Sequence, residues 1–259
     1  MKILAVGDVV GKGGTEYIRR NLWNIRKEYG VTMTVLNGEN AASGNGLDAD
    51  TASVLLASGA DVITSGNHIW RKHGISSYME DNPCVLRPAN YPAACPGAGS
   101  VIYNTADGVR VLVISLLGNV FMPDSYANPF ETADAILARN AGEYDLCVID
   151  FHAEATSEKA ALARYLDGRV SAVFGTHTHV QTSDARILPA GTGFITDVGM
   201  TGAEESILGV KTECVLKKFL TKMPVHFEEA AGTIRFSAVC FTIDENTGRC
   251  TAVETVSRL

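Results

Sequence analysis

Lys2-Ile3-Leu4-Ala5-Val6-Gly7-Asp8 carries four consecutive apolar residues and closes on a glycine and a carboxylate. Successive residues of an extended chain point to opposite faces, so a strand over Lys2 to Val6 would be covered on both sides. The same grammar recurs along the chain. Strands are predicted at Thr32 to Leu36, Asp61 to Thr64, Val109 to Ser115, Leu146 to Phe151, Val170 to Phe174 and Phe194 to Thr196. Longer amphipathic stretches between them predict helices at Thr15 to Tyr29, Thr51 to Ser58, Trp70 to Met79, Pro129 to Ala141, Ser157 to Leu166 and Glu213 to Lys222. That alternation belongs to an α/β fold with helices outside a buried sheet. After Thr233 the texture changes: the alternating runs Ile234 to Val239 and Cys250 to Val253 flank Asp244-Glu245-Asn246-Thr247-Gly248 and predict a C-terminal antiparallel hairpin. The β-sheet core is therefore expected to be mixed.

Four prolines between Pro83 and Ser100 predict a loop excursion at 83–100 over one end of the sheet. No repeat, low-complexity tract or linker divides the chain, and 259 residues suit one domain spanning 1–259. Apolar residues at 46% and charged residues at 20% exclude global disorder. No apolar run reaches the ~18 residues of a membrane-spanning helix, and the N-terminus is not basic then apolar, so a cytoplasmic protein without a membrane partner is expected. The six cysteines are scattered with no Cys-x-x-Cys pair and read as small core residues in a reducing compartment. A net charge of -7 disfavours duplex nucleic acid as a partner. A small anionic substrate stays open where a local cation reverses the field, and a homo-oligomer is compatible with all of this.

Residues able to hold metals recur where predicted strands end. They are Asp8 after Gly7, Glu39 and Asn40 in Asn37-Gly38-Glu39-Asn40, Asn67 and His68 in Gly66-Asn67-His68, His152, and His177 and His179 in Gly175-Thr176-His177-Thr178-His179. Ligands of open α/β sheets bind outside the carboxyl ends of the strands, so these segments would converge on one crevice. Four of the six histidines fall in them. Two divalent cations roughly 3.5 to 4 Å apart need a shared anionic bridge with imidazoles on either side, and Glu39 can bridge. Glycine precedes the ligands at Gly7, Gly38, Gly66 and Gly175, where a missing Cβ lets the chain turn off a strand close to a phosphate.

In this order the blocks resemble the calcineurin-like metallophosphoesterase superfamily, with two departures. Val10 stands where that superfamily has a metal-binding histidine, and Glu39 where it has the bridging aspartate. The variant Gly-Asp-Val-Val-Gly, Asn-Gly-Glu-Asn, Gly-Asn-His, with the later Thr196-Asp197-Val198-Gly199-Met200-Thr201-Gly202, is similar to the bacterial YmdB-like 2′,3′-cyclic-nucleotide 2′-phosphodiesterase branch. The resemblance implies a layered α/β/β/α arrangement. It also implies that Asp8, Glu39, Asn40 and His179 serve one metal while Glu39, Asn67, His152 and His177 serve the other, with Asn40 replacing the imidazole that Val10 cannot supply. It suggests iron or manganese, with zinc or cobalt also suited to such ligands.

Two dications and two carboxylates leave roughly +2 in the crevice, so it should hold phosphate. The expected activity is hydrolysis of a small phosphodiester, 2′,3′-cyclic nucleotides to 3′-nucleotides, by a hydroxide bridging the metals, with His68 protonating the departing alkoxide. A phosphomonoesterase on the same core, and a nucleotide-binding regulatory protein with little turnover, are the alternatives.

Other residues invite plainer readings. His73 is a solvated helix position, His226 a loop residue, and Cys147 a buried strand residue. Asp150 either orients a histidine or turns the chain at a strand end. The Thr196 to Gly202 block is either a tight turn or, by a narrow preference, a backbone nest near phosphate. Gly11-Lys12-Gly13-Gly14 lacks the close of a P-loop and reads as the turn into the first helix.

Overall fold

Ile3 and Ala5 point one way from the first strand, Leu4 and Val6 the other, and all four are fully buried. A computed structural model describing all 259 residues shows what covers each face. Strand β1 (Lys2–Val6) continues past Gly7 into the short β2 (Asp8–Val9), and helix α1 (Gly11–Tyr29) returns to β3 (Met33–Asn37). Helix α2 (Ala49–Ala57), β4 (Val62–Thr64) and α3 (Ile75–Asp81) follow. The second half holds β5 (Ser100–Asn104), β6 (Arg110–Leu117), α4 (Pro129–Arg139), β7 (Leu146–His152), α5 (Thr156–Tyr165) and β8 (Ala172–Thr176). Last come β9 (Arg186–Ile187), β10 (Gly193–Ile195), β11 (Met200–Ala203), α6 (Thr212–Thr221), β12 (Ile234–Ile243) and β13 (Cys250–Arg258).

The strands form two sheets. One runs β2-β11-β12-β1-β3-β4 with β13 added on β12, and the other runs β5-β6-β7-β8-β10-β9. Neighbours β1, β3 and β4 are parallel, as are β6, β7, β8 and β10. The C-terminal hairpin pairs antiparallel with itself and with β1, so the first sheet is mixed, as expected.

Side-chain parity then sorts the core into three seams. Ile3, Ala5, Met33 and Val35 of the first sheet meet Val111, Val113, Val148 and Phe174 of the second. Leu4, Val6 and Leu36 face Ile18, Leu22 and Ile25 of α1 together with Leu55 of α2. Leu112, Ile114 and Ile149 face Ala133 and Ile136 of α4 and Leu162 of α5. The layers are α/β/β/α. Burying both faces of both sheets is why the strands read as near-continuous apolar runs rather than alternations.

Two local expectations change. The helix predicted at Trp70 to Met79 is divided into a short 3-10 turn over Ile69–Arg71, ended by the extended backbone of Lys72, and α3, which starts after Gly74 at φ +83. Strand β8 lies two residues beyond its predicted range, pairing Gly175 with Phe151 and Thr176 with His152. The shift carries both histidine segments to one edge. Between 82 and 99 the backbone forms no helix or strand beyond one bridge from Val85 to Ile63. Strands β2, β5, β9 and β11 have no counterpart among the predicted elements; two of them are two residues long, too short for a periodicity to register. No helix is long and apolar enough to cross a membrane.

Candidate metal centre

The ends of β1, β3, β4, β7 and β8 meet at one rim, and all eight singled-out residues converge there. Asp8 and Glu39 are fully buried. Glu39 Oε1 is 3.0 Å from His152 Nε2, and its Oε2 accepts a hydrogen bond from the His68 amide at 3.1 Å. The Asp8 Oδ2 atom accepts from the His177 amide at 3.0 Å, and its Oδ1 lies 3.7 Å from His179 Nε2. His177 Nδ1 is 3.0 Å from His152 Nε2, and Asn67 Oδ1 is 3.2 Å from the same His152 atom. Donor atoms of Glu39, His152 and His177 all lie within 4.8 Å of one another. His68 and Val10 line the adjoining cleft of about 550 Å³.

Asn40 reaches the Asp8 side through its backbone. Val10 bridges Asn40 in parallel, and the Gly11 amide donates to the Asn40 carbonyl at 2.9 Å. The side-chain amide nitrogen is then 3.2 Å from Glu39 Oε1, 3.3 Å from His179 Nε2 and 3.5 Å from Asp8 Oδ1. A half-turn about the soft terminal torsion would present the oxygen at the same place.

Each imidazole is oriented from behind. The Thr176 hydroxyl donates to Asp150 Oδ1 at 2.7 Å and stands 2.9 Å from His152 Nδ1. It therefore accepts the Nδ1 proton, so that in the neutral imidazole the His152 Nε2 lone pair faces the centre. Asn37 donates to Asp150 Oδ2 at 2.8 Å, so Asp150 acts as an orienter and not as a mere turn residue. His177 Nε2 pairs with Glu154 at 3.1 Å, which frees Nδ1. The Leu208 carbonyl takes the Nδ1 proton of His179 at 3.2 Å, which frees Nε2.

The turn that carries His177 and His179 is strained. Both have left-handed backbones, φ 98 and φ 64, which a bulky side chain rarely tolerates. What holds them lies between. Asp197 Oδ2 accepts from the Thr178 amide at 3.1 Å, from its hydroxyl at 2.8 Å and from Lys159 Nζ at 2.7 Å, while Oδ1 accepts from the Gly199 amide at 2.8 Å. Lys159 and Asp197 are both buried. This overturns the nest reading of Thr196 to Gly202. The amides of Thr196, Asp197, Val198 and Gly199 are all bonded within the protein, and Met200 onward forms β11.

Glycine at 66 is required by the centre itself. A Cβ there would fall 2.2 Å from His152 Cδ2 and 2.3 Å from Glu39 Oε2. Gly11, read as a turn into the first helix, is the first residue of α1.

Charge is concentrated in the cluster. Burial would raise the Asp8 and Glu39 carboxyls, but His179 beside Asp8 and His152 beside Glu39 hold both below the ordinary range. Burial would lower His152, yet the charge and hydrogen bond of Glu39 lift it to about 9. Burial and the charge of His152 push His177 down to about 3. Two imidazoles in contact cannot both be cationic, so their values move apart. His68 is lowered by burial. The ionic partners of both carboxylates are imidazoles, with no lysine or arginine among them. Buried carboxylates faced by oriented imidazole lone pairs and amides make a donor set that suits divalent cations.

A family model for YmdB-like proteins matches residues 4–256. The chain belongs to the YmdB-like family. It is 46% identical over 256 residues to a protein of Bacillus subtilis strain 168 named 2′,3′-cyclic-nucleotide 2′-phosphodiesterase, covering 99% of this chain and 96% of that one. A crystal structure of a protein from Thermus thermophilus superposes with a TM-score of 0.92 at 40% identity, covering 100% of this chain and 99% of that chain. A Mycoplasma pneumoniae structure described as a novel phosphatase superposes at 0.93 with 32% identity, covering 100% and 93%. The fold is that of the metallophosphoesterases.

Several contributors were invisible in sequence. Glu154 follows His152 by two residues, a spacing that could have flagged it. Lys159 looks like an ordinary helix residue, and Leu208 contributes only a carbonyl. His226, read as a loop residue, lies outside the helices and strands and lines the cleft. His73 is exposed but lies in the turn before α3 and not in a helix, and Cys147 is buried as expected.

Proposed function

We propose that this chain is a two-metal phosphodiesterase acting on small phosphodiesters, with 2′,3′-cyclic nucleotides hydrolysed to 3′-nucleotides. The observation that carries the reading is the pair of buried carboxylates, Asp8 and Glu39, at a strand-end cleft with imidazoles as their only ionic partners. Its near relative of Bacillus subtilis bears the name of that activity. Asp8, Glu39, Asn40 and His179 would hold one cation, and Glu39, Asn67, His152 and His177 the other. Divalent cations so held supply Lewis acidity toward phosphoryl oxygens and lower the pKa of attacking water. The oxygen, nitrogen and amide donors, without thiolate, suit iron, manganese, zinc or cobalt, and the resemblance to the YmdB-like branch favours iron or manganese among them. Six free thiols fit a reducing cytoplasm.

The remaining work falls to the chain. Relays from Asp150 and Glu154 keep the imidazole lone pairs pointed inward. His68 lines the cleft beside Asn67 and would give a proton to the departing 2′ oxygen. Burial favours its neutral form, and an arriving phosphodiester anion favours the imidazolium.

The test pairs a cyclic nucleotide with a nitrophenyl phosphodiester and a monoester, with metal content measured on the same preparations. General-acid assistance is worth ~10² to 10⁴ in rate and matters most for a poor leaving group. His68→Ala should keep its metals, lose most activity on the cyclic nucleotide and lose distinctly less on the nitrophenyl ester. Equal losses would make His68 a phosphate-binding group. Faster turnover of the monoester by the unmodified enzyme would replace the phosphodiesterase reading with a phosphatase one.

A further inference from the structure

Asn67 has two surroundings. Its Oδ1 faces His152 Nε2 at the metal centre, and the same residue lines a second cavity of about 700 Å³, which adjoins the cleft where Asn67 meets His68. Three aromatic residues line that cavity: Trp70 from the 3-10 turn, Tyr91 from the proline-rich excursion, and Tyr126 from the loop before α4. Trp70 meets Tyr91 edge-on at 5.9 Å between ring centroids, and Tyr91 meets Tyr126 at 4.7 Å with planes inclined by 58°. None of the rings is stacked face to face on another. The exposed Arg71 adds a cation to the lining.

We infer that this cavity is a nucleobase subsite, in which the base of a nucleotide stacks on Tyr126 and Trp70 while its phosphate occupies the metal centre across Asn67. The chemistry is that of aromatic platforms for single bases, which act through π-faces and tolerate every base. Arg71, Asp124 and Ser125 lie among the lining residues, but the one buried polar side chain there has no group to spare for a base. The buried amide of Asn90 is consumed by the Leu117 and Ala127 carbonyls and the Leu117 amide at 2.7, 3.0 and 2.9 Å. Selection should therefore be for the presence of a base and not for its identity. The placement of the phosphate rests on the phosphodiesterase reading above; the stacking does not.

Two measurements on the metal-loaded enzyme test it. In steady-state kinetics, Tyr126→Ala should raise KM for 2′,3′-cyclic AMP by about 5- to 140-fold, the span of one lost base stack. Its kcat should change little, since the lost binding is uniform. Methyl riboside 2′,3′-cyclic phosphate, which has no base, should be unaffected. Tyr126→Phe should restore KM, and Trp70→Leu, which keeps an apolar filling, should repeat the selective loss. The second measurement needs no turnover. The chain has two tryptophans, so Trp23→Phe leaves Trp70 as the sole indole reporter. Adenosine should quench it saturably, ribose should not, and Tyr126→Ala should weaken the quench. Equal kinetic effects on the two substrates, or no adenosine quench, would overturn the subsite. Absence of turnover on either substrate with the quench intact would instead refute the hydrolytic reading and leave the subsite standing.

Discussion

Asp197→Asn should destabilise the protein by far more than one lost hydrogen bond. Lys159 is 1% exposed and its ammonium is 2.7 Å from Asp197 Oδ2, so the substitution strands a buried cation without a counter-charge. Breaking a buried pair from one side typically costs about 3–5 kcal/mol. Unfolding entropy near ~2.1 cal/mol/K per residue gives a chain of this length about 0.5 kcal/mol/K, so Tm should fall by roughly 6–9 °C. Lys159→Met should cost less than Asp197→Asn, because Asp197 keeps its bonds from the Thr178 amide, the Thr178 hydroxyl and the Gly199 amide. The double variant removes both charges and should be clearly more stable than the sum of the singles implies. Calorimetry on chelated preparations isolates the effect, since bound metal would add its own stabilisation. A Tm change below about 2 °C for Asp197→Asn, or additive losses in the double variant, would refute the claim that this pair holds the strained His177–His179 turn.

Gly66→Ala should leave the chain folded but reduce metal content and kcat/KM at least about tenfold, because its Cβ would displace His152 or Glu39; full occupancy measured by elemental analysis would contradict this. Glu39→Gln should weaken both metals together, a neutral amide being a poor bridge between dications, whereas His152→Ala should deplete mainly one. Two tightly held equivalents in Glu39→Gln would remove the bridging assignment. Asn40→Ala should lower occupancy on the Asp8 side alone, and a structure of that variant with both metals at full occupancy would reduce Asn40 to a supporting contact.

The residue types of the centre are legible because its chemistry is local to strand ends. A glycine followed by Asp8, by Glu39 and Asn40, or by Asn67 and His68 is a short-range pattern, and parallel strands bring their carboxyl ends to one rim without further instruction. The layers are legible for a related reason, since unbroken apolar strands need cover on both faces. Local signals fail where the partner is distant. Nothing near Thr196 to Gly202 shows that Asp197 reaches 38 residues back to Lys159, so a clamp reads as an anion nest. The helix over Trp70 to Met79 looks continuous because a glycine is tolerated in a helical pattern until its φ is known to be +83.

Sequence alone therefore determined the fold class, the strand-end positions and the donor atoms available for metal. Tertiary structure decided which nitrogen of each histidine is oriented by a partner, that Val10 and Asn40 are bridged so the Asn40 amide sits beside Asp8 and His179, and that three aromatic rings from separate segments line one cavity. The division has a physical cause. Periodicity and residue chemistry are carried by neighbours along the chain, whereas tautomer, strain and cavity shape depend on atoms brought together across about a hundred residues, as Asn37 and Asp150 are.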